Sequence, residues 1–358
     1  MKTLRLAVDP SDLTLPEARN AIALAAEILR AGGTVALPTE TVYGLGANAL
    51  DESAVARIFT AKQRPSWDPI IVHVAGASMA ERLVSEFPAP ARALMDAFWP
   101  GPLTLLLPRS TAVPDIVTAG RPLVGIRMPS HPVAFELIRR AGVPVAAPSA
   151  NLFGHTSPTT AVHVLADLDG RIDAVLDAGP TPHGVESTVL DPGPNPMRIY
   201  RPGAVTAEQI RSVIGEIAIV HEIAPADGSL AHQPLQSLPS PGFGLRHYAP
   251  RARLVLIEAD QGLIGSRVSI AVSGLAGKRV GVMLPAGFDA PVLDEAVIVR
   301  RWGKWDAPEE MARELYAALR ELDALDCEAI VCPVPPPEGI GAAIRDRLLK
   351  AARPAVSN

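Results

Sequence analysis

The stretch PTETVYGLG, residues 38–46, directly follows a short β-type run over Thr34–Leu37. It brings together two hydroxyls, a carboxylate, a phenol and two glycines. A loop at the end of a strand is the usual place for a ligand in an α/β protein. The stretch lacks the G-x-x-x-x-G-K-[ST] pattern of a phosphate-binding P-loop. It therefore predicts a polar ligand loop in an α/β fold, and the simpler alternative is a glycine-containing strand–helix turn.

Helical and strand-like patterns alternate on both sides of this stretch. Apolar spacing predicts helices at Leu13–Arg30, Glu52–Lys62, Met79–Phe87 with Ser78 as its cap, Ala91–Phe98, Pro132–Ala141, Thr159–Leu165 opened by a threonine cap, and Ala207–Ile214. Short apolar runs predict strands at Ile70–Val74, Leu103–Leu107, Leu123–Arg127, Val143–Ala147, Ala174–Asp177, Thr188–Asp191 and Met197–Tyr200. This mixture predicts the α/β class.

The length of 358 residues favours two domains. We expect a first domain over residues 1–222, a linker rich in Pro, Gly and Ser over 223–250, and a second domain over 251–358. Strand-like runs and two strong helical patterns in the last part predict a small Rossmann-like α/β layer: Leu254–Glu258, Val280–Leu284, Ala296–Arg301, Glu309–Leu322, Ala329–Val331 and Ile340–Ala352. No G-x-G-x-x-G turn follows its first strand, so no dinucleotide site is assigned.

Composition excludes several classes of protein. Charged residues make up 20% and aromatic residues 4%, with a net charge of −5, which argues against a dedicated nucleic-acid binder. No apolar run approaches the roughly 18 residues of a membrane span, and charge and proline come too early for a signal peptide. The two cysteines, Cys327 and Cys332, are too few for a zinc site. We expect a cytoplasmic protein, because cysteine is scarce.

Several short motifs carry residues suited to anions. Lys62 and Arg64 place two cations at a helix end, which suits phosphate oxygens, although the helix dipole alone also favours cations there. Arg127 closes the strand VGIR and can clamp a carboxylate. The other motifs are APSAN at 147–151, SPT at 157–159, HGVEST at 183–188 and YRPG at 200–203. A Ser187–His183 hydrolase is disfavoured because no G-x-S-x-G elbow is present.

The motifs PTETVYGLG, KQRP with His73 after it, FWPGPLT at 98–104, VGIRMPSHP, APSAN with SPT, ESTV and YRPG follow one another in a single order. In this order they resemble the YrdC-like threonylcarbamoyl-adenylate synthases. The segments SPGFGLRHYAP and EGIGAAIRDRLLKAA resemble the long, two-domain form of that family. The resemblance covers the chain from about Leu13 to Ala352 and implies a YrdC-like twisted mixed sheet with helices.

The resemblance implies a nucleotidyltransferase that makes threonylcarbamoyl-AMP and pyrophosphate from L-threonine, bicarbonate or CO2, and ATP. A separate transferase complex then moves the threonylcarbamoyl group to adenosine in tRNA. The reactants, apart from the amine, carry or develop negative charge, so the site must supply cations and neutral donors. Magnesium is implied together with ATP as substrate, held mostly by phosphate oxygens, and no protein metal ligand is assigned.

Particular positions take roles from the resemblance. It implies threonine contacts at Thr41, His73, Arg127 and Ser187, and a catalytic set at the ATP phosphates of Lys62, Arg64 and Arg201. It implies further ATP contacts at Asp68, Leu123, Ser149, Asn151, Ser157, His247 and Tyr248. The segment from Ser240 to Tyr248 resembles a lid that excludes water from the site.

Three positions depart from the family pattern. Asp68 stands where asparagine is expected, and Leu123 stands where a small hydroxyl residue is more usual. Gly242-Phe243 replaces the commoner Gly-Met. An added negative charge near phosphate is unfavourable unless it faces metal.

Two other functions compete with the synthase. The first is an RNA-binding YrdC-like module without synthase activity, which the balanced charge of the chain disfavours as a main role, although transient contact with tRNA remains an expectation. The second is a carbamoyl transferase domain of the hydrogenase-maturation type, which two cysteines exclude because that relative carries Cys-rich zinc fingers. A regulatory or docking role for the C-terminal domain is neither supported nor opposed.

Overall fold

The computed structural model describes residues 2–219, 247–289 and 296–353. These residues form two compact units. The first holds 2–153, Pro158–Pro182 and 186–219, and the second holds Gly154–Ser157, His183–Val185 and the described residues from 247 onward. Most of the expected linker, the expected lid up to residue 246 and the pair Gly242-Phe243 lie outside the described residues. The expected domain boundaries at 222 and 250 stay predictions.

The first unit alternates helices and short strands. Its helices are α1 Pro16–Arg30, α2 Glu52–Lys62, α3 Ala77–Glu81, α4 Ala89–Phe98, α5 Asp115–Thr118, α6 Pro132–Ala141, α7 Ala161–Leu168 and α8 Ala207–Ile214. Its strands are β1 Leu4–Ala7, β2 Val35–Leu37, β3 Gly44–Asn48, β4 Val72–His73, β5 Leu103–Pro108, β6 Leu123–Arg127, β7 Val145–Ala146, β8 Ala174–Asp177, β9 Thr188–Asp191, β10 Met197–Arg201 and β11 Ile217–Ile219.

These strands join in one sheet of eleven, in the order β1-β8-β2-β3-β7-β4-β6-β5-β9-β10-β11. Parallel pairs such as β4 with β6 and antiparallel pairs such as β5 with β6 occur side by side. The mixed α/β sheet that the resemblance implied is therefore confirmed. The register of β4 against β6 sets His73 directly beside Arg127.

Helices cover both faces of the sheet, as the alternation of side chains along the strands requires. In β2, Ala36 belongs to one hydrophobic core while Val35 and Leu37 belong to another. The first core takes in apolar residues of α2, α4 and α7, and the second takes in those of α1 and α6. Burial on both faces holds the strand ends, and the loops that follow them, in place.

The structure rules out the strand–helix turn, the simpler alternative for PTETVYGLG, and one predicted helix is wrong. PTETVYGLG leads from β2 into the antiparallel strand β3, not into a helix. A Cβ atom on Gly46 would lie 2.8 Å from Val145 Cγ1, so close packing of β3 requires glycine where strand propensity disfavours it. The helix expected at Met79–Phe87 with a Ser78 cap is the five-residue α3, whose N-cap is Gly76.

The second unit contains a parallel sheet. Its strands are β12 Arg253–Ile257, β13 Val280–Ala286, β14 Val297–Lys304 and β15 Ala329–Pro333, and its helices are α9 Ile264–Ser273, α10 Pro308–Ala324 and α11 Gly341–Ala351. The strand order is β12-β15-β13-β14, and every pair is parallel. This confirms the expected small Rossmann-like α/β domain. Across the described parts of both units, no helix is both long and apolar enough to cross a bilayer.

Candidate active site

The centre of the candidate site is the guanidinium of Arg127, at the end of β6. Arg127 Nη1 donates to Thr41 Oγ1 at 3.0 Å, and Arg127 Nε donates to Gly101 O at 3.3 Å. Arg127 Nη2 lies 2.7 Å from Glu40 Oε1, and both of these side chains are about 4% exposed. A buried arginine needs such partners, because an uncompensated buried charge is costly. The loop at 38–43 therefore supplies both a hydroxyl and a counter-charge to the strand end.

The loop hydroxyls have fixed directions. Thr39 Oγ1 donates to Val42 O at 2.7 Å and lies 2.8 Å from Thr41 Oγ1. Since the Thr39 proton is used, the Thr41 hydroxyl donates to Thr39 and accepts from Arg127. One lone pair of Thr41 Oγ1 remains for a ligand. Thr41 is thus an acceptor toward anything bound at this strand end.

Glu40 stays ionised in this loop. Burial raises the pKa of its carboxyl, but the charge of Arg127 and hydrogen bonds to the carboxylate outweigh burial and hold the pKa below its usual value. The Glu40–Arg127 pair is therefore a neutral unit in a buried setting. A carboxylate ligand on Arg127 shares the guanidinium with Glu40.

His73 lies beside this pair and is uncharged. Burial, reinforced by the positive charge of Arg127, lowers the pKa of His73 to about 3. Its Nδ1 atom is buried without a hydrogen-bond partner among the described residues. A neutral imidazole offers hydrogen bonds without adding a second positive charge next to Arg127.

A second cluster joins β5, β9 and β10. Thr104 Oγ1 and Ser187 Oγ are 2.8 Å apart, and both residues are buried. Arg201 Nη2 donates to Ser187 Oγ at 3.1 Å, while Arg201 Nε donates to Ser187 O at the same distance. A Cβ atom on Gly203 would lie 2.3 Å from Thr188 N, so glycine lets the segment after β10 press against the backbone of the ESTV motif. Ser187 and Arg201, two predicted residues, are therefore in direct contact.

Lys62 ends α2 and reaches the APSAN segment. Its Nζ atom donates to the backbone carbonyls of Ser149 and Asn151 at 2.5 Å each, and Lys62 is 1% exposed. The helix ends at Gln63 in a left-handed conformation, which turns the chain sharply between Lys62 and Arg64. Lys62, Ser149 and Asn151 thus form one cluster, in which the serine and asparagine contribute main-chain oxygens.

Arg64 clamps the loop that follows α2. Its Nη2 atom lies 2.9 Å from Asp68 Oδ2 and donates to Pro69 O at 2.7 Å, while Nε donates to Asp68 O at 3.2 Å. The departure from asparagine at position 68 therefore has a physical explanation. The carboxylate of Asp68 faces a cation, and the two charges are buried together.

The remaining predicted residues lie elsewhere. Leu123 begins β6 and lines a small pocket together with Thr118, Arg121 and Gly125. Ser157, His247 and Tyr248 belong to the second unit. The Tyr248 ring is 1% exposed there and packs against Tyr316, with ring centroids 5.9 Å apart, and under the Arg347 guanidinium at 5.2 Å.

Sequence reasoning gave no role to Glu40 or Thr104, although both lie in motifs that it singled out. The sequence signal for Glu40 is that it is the one carboxylate in a loop next to apolar strand residues. A glutamate that is buried in such a place needs a cation as its partner. Thr104 carries no comparable signal, because a threonine in an apolar strand is ordinary. Only its contact with Ser187, far away in the sequence, distinguishes it.

Magnesium has to fit this donor set. Among the described residues, no group of three or more His, Cys, Asp or Glu side chains is arranged to hold a metal ion. The buried carboxylates Glu40 and Asp68 each face an arginine. These residues fit an ion that is held mainly by phosphate oxygens of a bound nucleotide, rather than one held in a protein cage.

Comparisons with known proteins cover both units. A family model described as "Telomere recombination" matches residues 27–203, and one described as "Threonylcarbamoyl-AMP synthase, C-terminal domain" matches residues 205–353. The threonylcarbamoyl-AMP synthase of Bacillus subtilis is 45% identical over 98% of each chain. That of Pyrococcus abyssi is 43% identical over 92% of this chain and 94% of its own.

A solved structure has the same fold throughout. The crystal structure of P. abyssi Sua5 complexed with L-threonine is 41% identical, covers 98% of each chain and has a TM-score of 0.87. The expected resemblance is confirmed by these matches, because they span both the mixed sheet and the parallel sheet. This chain therefore belongs to the threonylcarbamoyl-AMP synthase family, in the form that carries both domains.

Proposed function

We propose that this chain makes threonylcarbamoyl-AMP and pyrophosphate from L-threonine, bicarbonate or CO2, and ATP. The observation that carries the proposal is the buried Arg127 cluster with Glu40 and Thr41, next to the neutral His73. The names of the full-length relatives support the reaction, and the threonine complex of a relative supports the amino acid.

The amino-acid half of the reaction uses Arg127. Its five N–H donors include one used by Gly101, one by Thr41 and one directed at Glu40, which leaves donors for a carboxylate. Threonine held there by its carboxylate keeps its amine free. The amine attacks CO2 and loses a proton, and the product is a carbamate. Thr41, His73 and Ser187 orient the amino acid by hydrogen bonds.

The nucleotide half uses Lys62, Arg64 and Arg201. A carbamate oxygen attacks the α-phosphorus of ATP, the bond between the α-phosphorus and the bridging oxygen breaks, and pyrophosphate leaves. Cations near the phosphates stabilise the charge that develops in this step. Magnesium bound to ATP would neutralise charge on the departing pyrophosphate. Asp68, Leu123, Ser149, Asn151, Ser157, His247 and Tyr248 stay predicted nucleotide contacts.

The product is a mixed anhydride and needs an acceptor. We infer that a transferase complex takes the threonylcarbamoyl group to adenosine in tRNA, with transient tRNA contact by this chain. Hydrolysis competes with this transfer, so the site must exclude water until the product is passed on.

The test is pyrophosphate release from ATP with bicarbonate and magnesium, with threonine present, omitted or replaced by L-serine. Release that depends on threonine and bicarbonate supports the synthase. Arg127→Ala should raise the concentration of threonine that is needed for pyrophosphate release, because the carboxylate clamp is lost. ATP should still bind to this variant. No threonine-dependent release, together with tRNA binding that weakens steeply with salt, would favour the RNA-binding module instead.

A further inference from the structure

The hydroxyl of Ser187 has a hydrogen-bonding direction that its neighbours determine. Its oxygen contacts Thr104 Oγ1 at 2.8 Å and Arg201 Nη2 at 3.1 Å. A guanidinium can only donate, so the Arg201 contact uses one lone pair of Ser187 Oγ. The contact with Thr104 has no such built-in direction, since either hydroxyl can donate.

Burial decides the direction of the Thr104 contact. Thr104 is fully buried, and its hydroxyl makes one hydrogen bond among the described residues, the bond to Ser187. If Ser187 donated, the Thr104 proton would be buried without an acceptor, which costs free energy. If Thr104 donates, its proton is satisfied. Thr104 is therefore the donor and Ser187 the acceptor.

Ser187 Oγ then accepts twice, from Arg201 and from Thr104, and only its own proton is left for a ligand. The Ser187 backbone is held as well, by Arg201 Nε on its carbonyl and by the close approach of Gly203. The hydroxyl of Thr41, in the Arg127 cluster, can only accept a hydrogen bond from a ligand, because a lone pair is what it has left. The two hydroxyls implied at the amino acid thus differ in polarity.

We propose that Thr104 is a positioning residue for the amino-acid substrate: with Arg201, it makes Ser187 a hydrogen-bond donor to an oxygen of that substrate. An ammonium group cannot accept this bond, whereas a carboxylate or hydroxyl oxygen can. This polarity suits the chemistry, because it directs Ser187 to an oxygen and leaves the nitrogen to react. The proposal rests on the proposed function, which supplies the amino acid.

The experiment compares three variants of the full chain by calorimetric binding of L-threonine and, separately, of ATP. Thr104→Val keeps the shape and removes the donor, so the Kd for threonine should rise about tenfold while the Kd for ATP changes by less than about twofold. Thr104→Ser keeps the hydroxyl and should restore threonine binding. Thr181→Val is the matched control, because Thr181 is also buried and its Oγ1 has no hydrogen-bond partner among the described residues.

A second arm uses L-2-aminobutyrate, which lacks the threonine hydroxyl. If Ser187 donates to that hydroxyl, Thr104→Val weakens threonine binding and leaves aminobutyrate binding unchanged. If Ser187 donates to the carboxylate, both amino acids weaken alike. Either pattern supports the donor direction and identifies the acceptor.

Two results overturn the proposal. One is threonine binding by Thr104→Val that equals the wild type, and the other is a Thr104→Ser variant as weak as Thr104→Val. A wild-type chain that binds no threonine would instead reject the proposed function, so the two failures are distinguishable. Thermal unfolding of each variant identifies one that fails merely because it does not fold.

Discussion

Single residues in the first unit show how buried charge is tolerated. Arg127 faces Glu40 and Arg64 faces Asp68, and each of the four side chains is almost completely buried. Removing one partner of such a pair leaves a charge uncompensated and costs about 3–5 kcal/mol. Each arginine is therefore paired with a carboxylate, and an anion that bound either one would share it with that carboxylate.

Asp68→Asn should strengthen ATP binding. Asparagine keeps the shape of the side chain but removes the charge that competes with phosphate for Arg64. We expect the KM for ATP to fall about threefold, equivalent to about 0.65 kcal/mol, with the KM for threonine unchanged. Asp173→Asn is the control, because Asp173 pairs with Arg57 at 2.7 Å, and pyrophosphate release against ATP concentration is the measurement. A higher KM for ATP in Asp68→Asn would contradict the competition.

His73 should make the protein sensitive to acid. Its pKa in the folded state is about 3, against an ordinary value of 6.5, because burial and Arg127 disfavour the imidazolium. Between these values the unfolded chain binds a proton and the folded chain does not, so stability falls as the pH falls below 6.5. From pH 6.5 to 5 the loss due to His73 is about 1.5 kcal/mol.

His73→Asn should therefore lose less stability than the wild type over that pH interval. Urea unfolding at the two pH values measures the difference. His155→Asn serves as the control because His155 is exposed. An equal acid loss in His73→Asn and in the wild type would show that the imidazole is protonated in the fold.

Among the elements, those with sequence signals at both ends were predicted best. Helix α2 runs from Glu52 to Lys62 as expected, since Asp51 caps its start by accepting from Ser53 N and Ala54 N. Helix α6 also has the expected bounds, from Pro132 to the residue before Gly142. The glycine-bearing strand β3 lacks such signals and was not predicted, and the five-residue helix α3 was predicted wrongly as a helix over Met79–Phe87.

In the candidate site, too, some features could be predicted from local sequence and others could not. The motifs that contain Arg127, Lys62 and Arg201 were recognisable one by one. Their hydrogen-bond partners were not, because the contacts join residues far apart in sequence, such as Thr104 with Ser187 and Lys62 with Asn151. Such pairings arise from strand order, which local pattern does not encode.

Gly203→Ala tests the close contact between the segment after β10 and the backbone at Ser187 and Thr188. The new Cβ would lie 2.3 Å from Thr188 N and 2.4 Å from Ser187 C, so backbone has to move. We expect a loss of about 1–3 kcal/mol in unfolding free energy, together with weaker threonine binding, because Ser187 shifts. Gly193→Ala is the matched control, because Gly193 is exposed and its Cβ would meet only Asp191 Oδ1, at 3.2 Å. Unchanged stability and binding in Gly203→Ala would contradict the close contact.

At the scale of the whole molecule, the second unit draws on three parts of the chain. It includes Gly154–Ser157 and His183–Val185, which precede the expected linker in the sequence. Arg320 of α10 donates to the carbonyls of Thr156 and Ser157, and a Cβ atom on Gly184 would lie 2.4 Å from Ala312 O. The second unit therefore contains two short segments, Gly154–Ser157 and His183–Val185, in addition to the residues of its own sheet and helices.

Tyr248→Ala should loosen this unit alone. The ring packs against Tyr316 and Arg347, and loss of a buried aromatic side chain costs about 3–5 kcal/mol. Backbone amides of α11 should exchange hydrogen faster, while those of α6, in the first unit, keep their rates. Tyr248→Phe retains the ring and should behave like the wild type. Equal acceleration in α6 and α11 would mean that the two units unfold together.

The pairing of β1 with β8 has a consequence for synthesis on the ribosome. Leu4 is in register with Ala174, so the first strand has no partner until about 170 further residues have been made. At roughly 5–20 residues per second, this takes about 8–35 seconds. During that time α1 and β2 have been made and can begin to fold, while β1 has no strand to pair with. β1 is thus made well before the strand that it pairs with, and it can join the sheet only after β8 has been made.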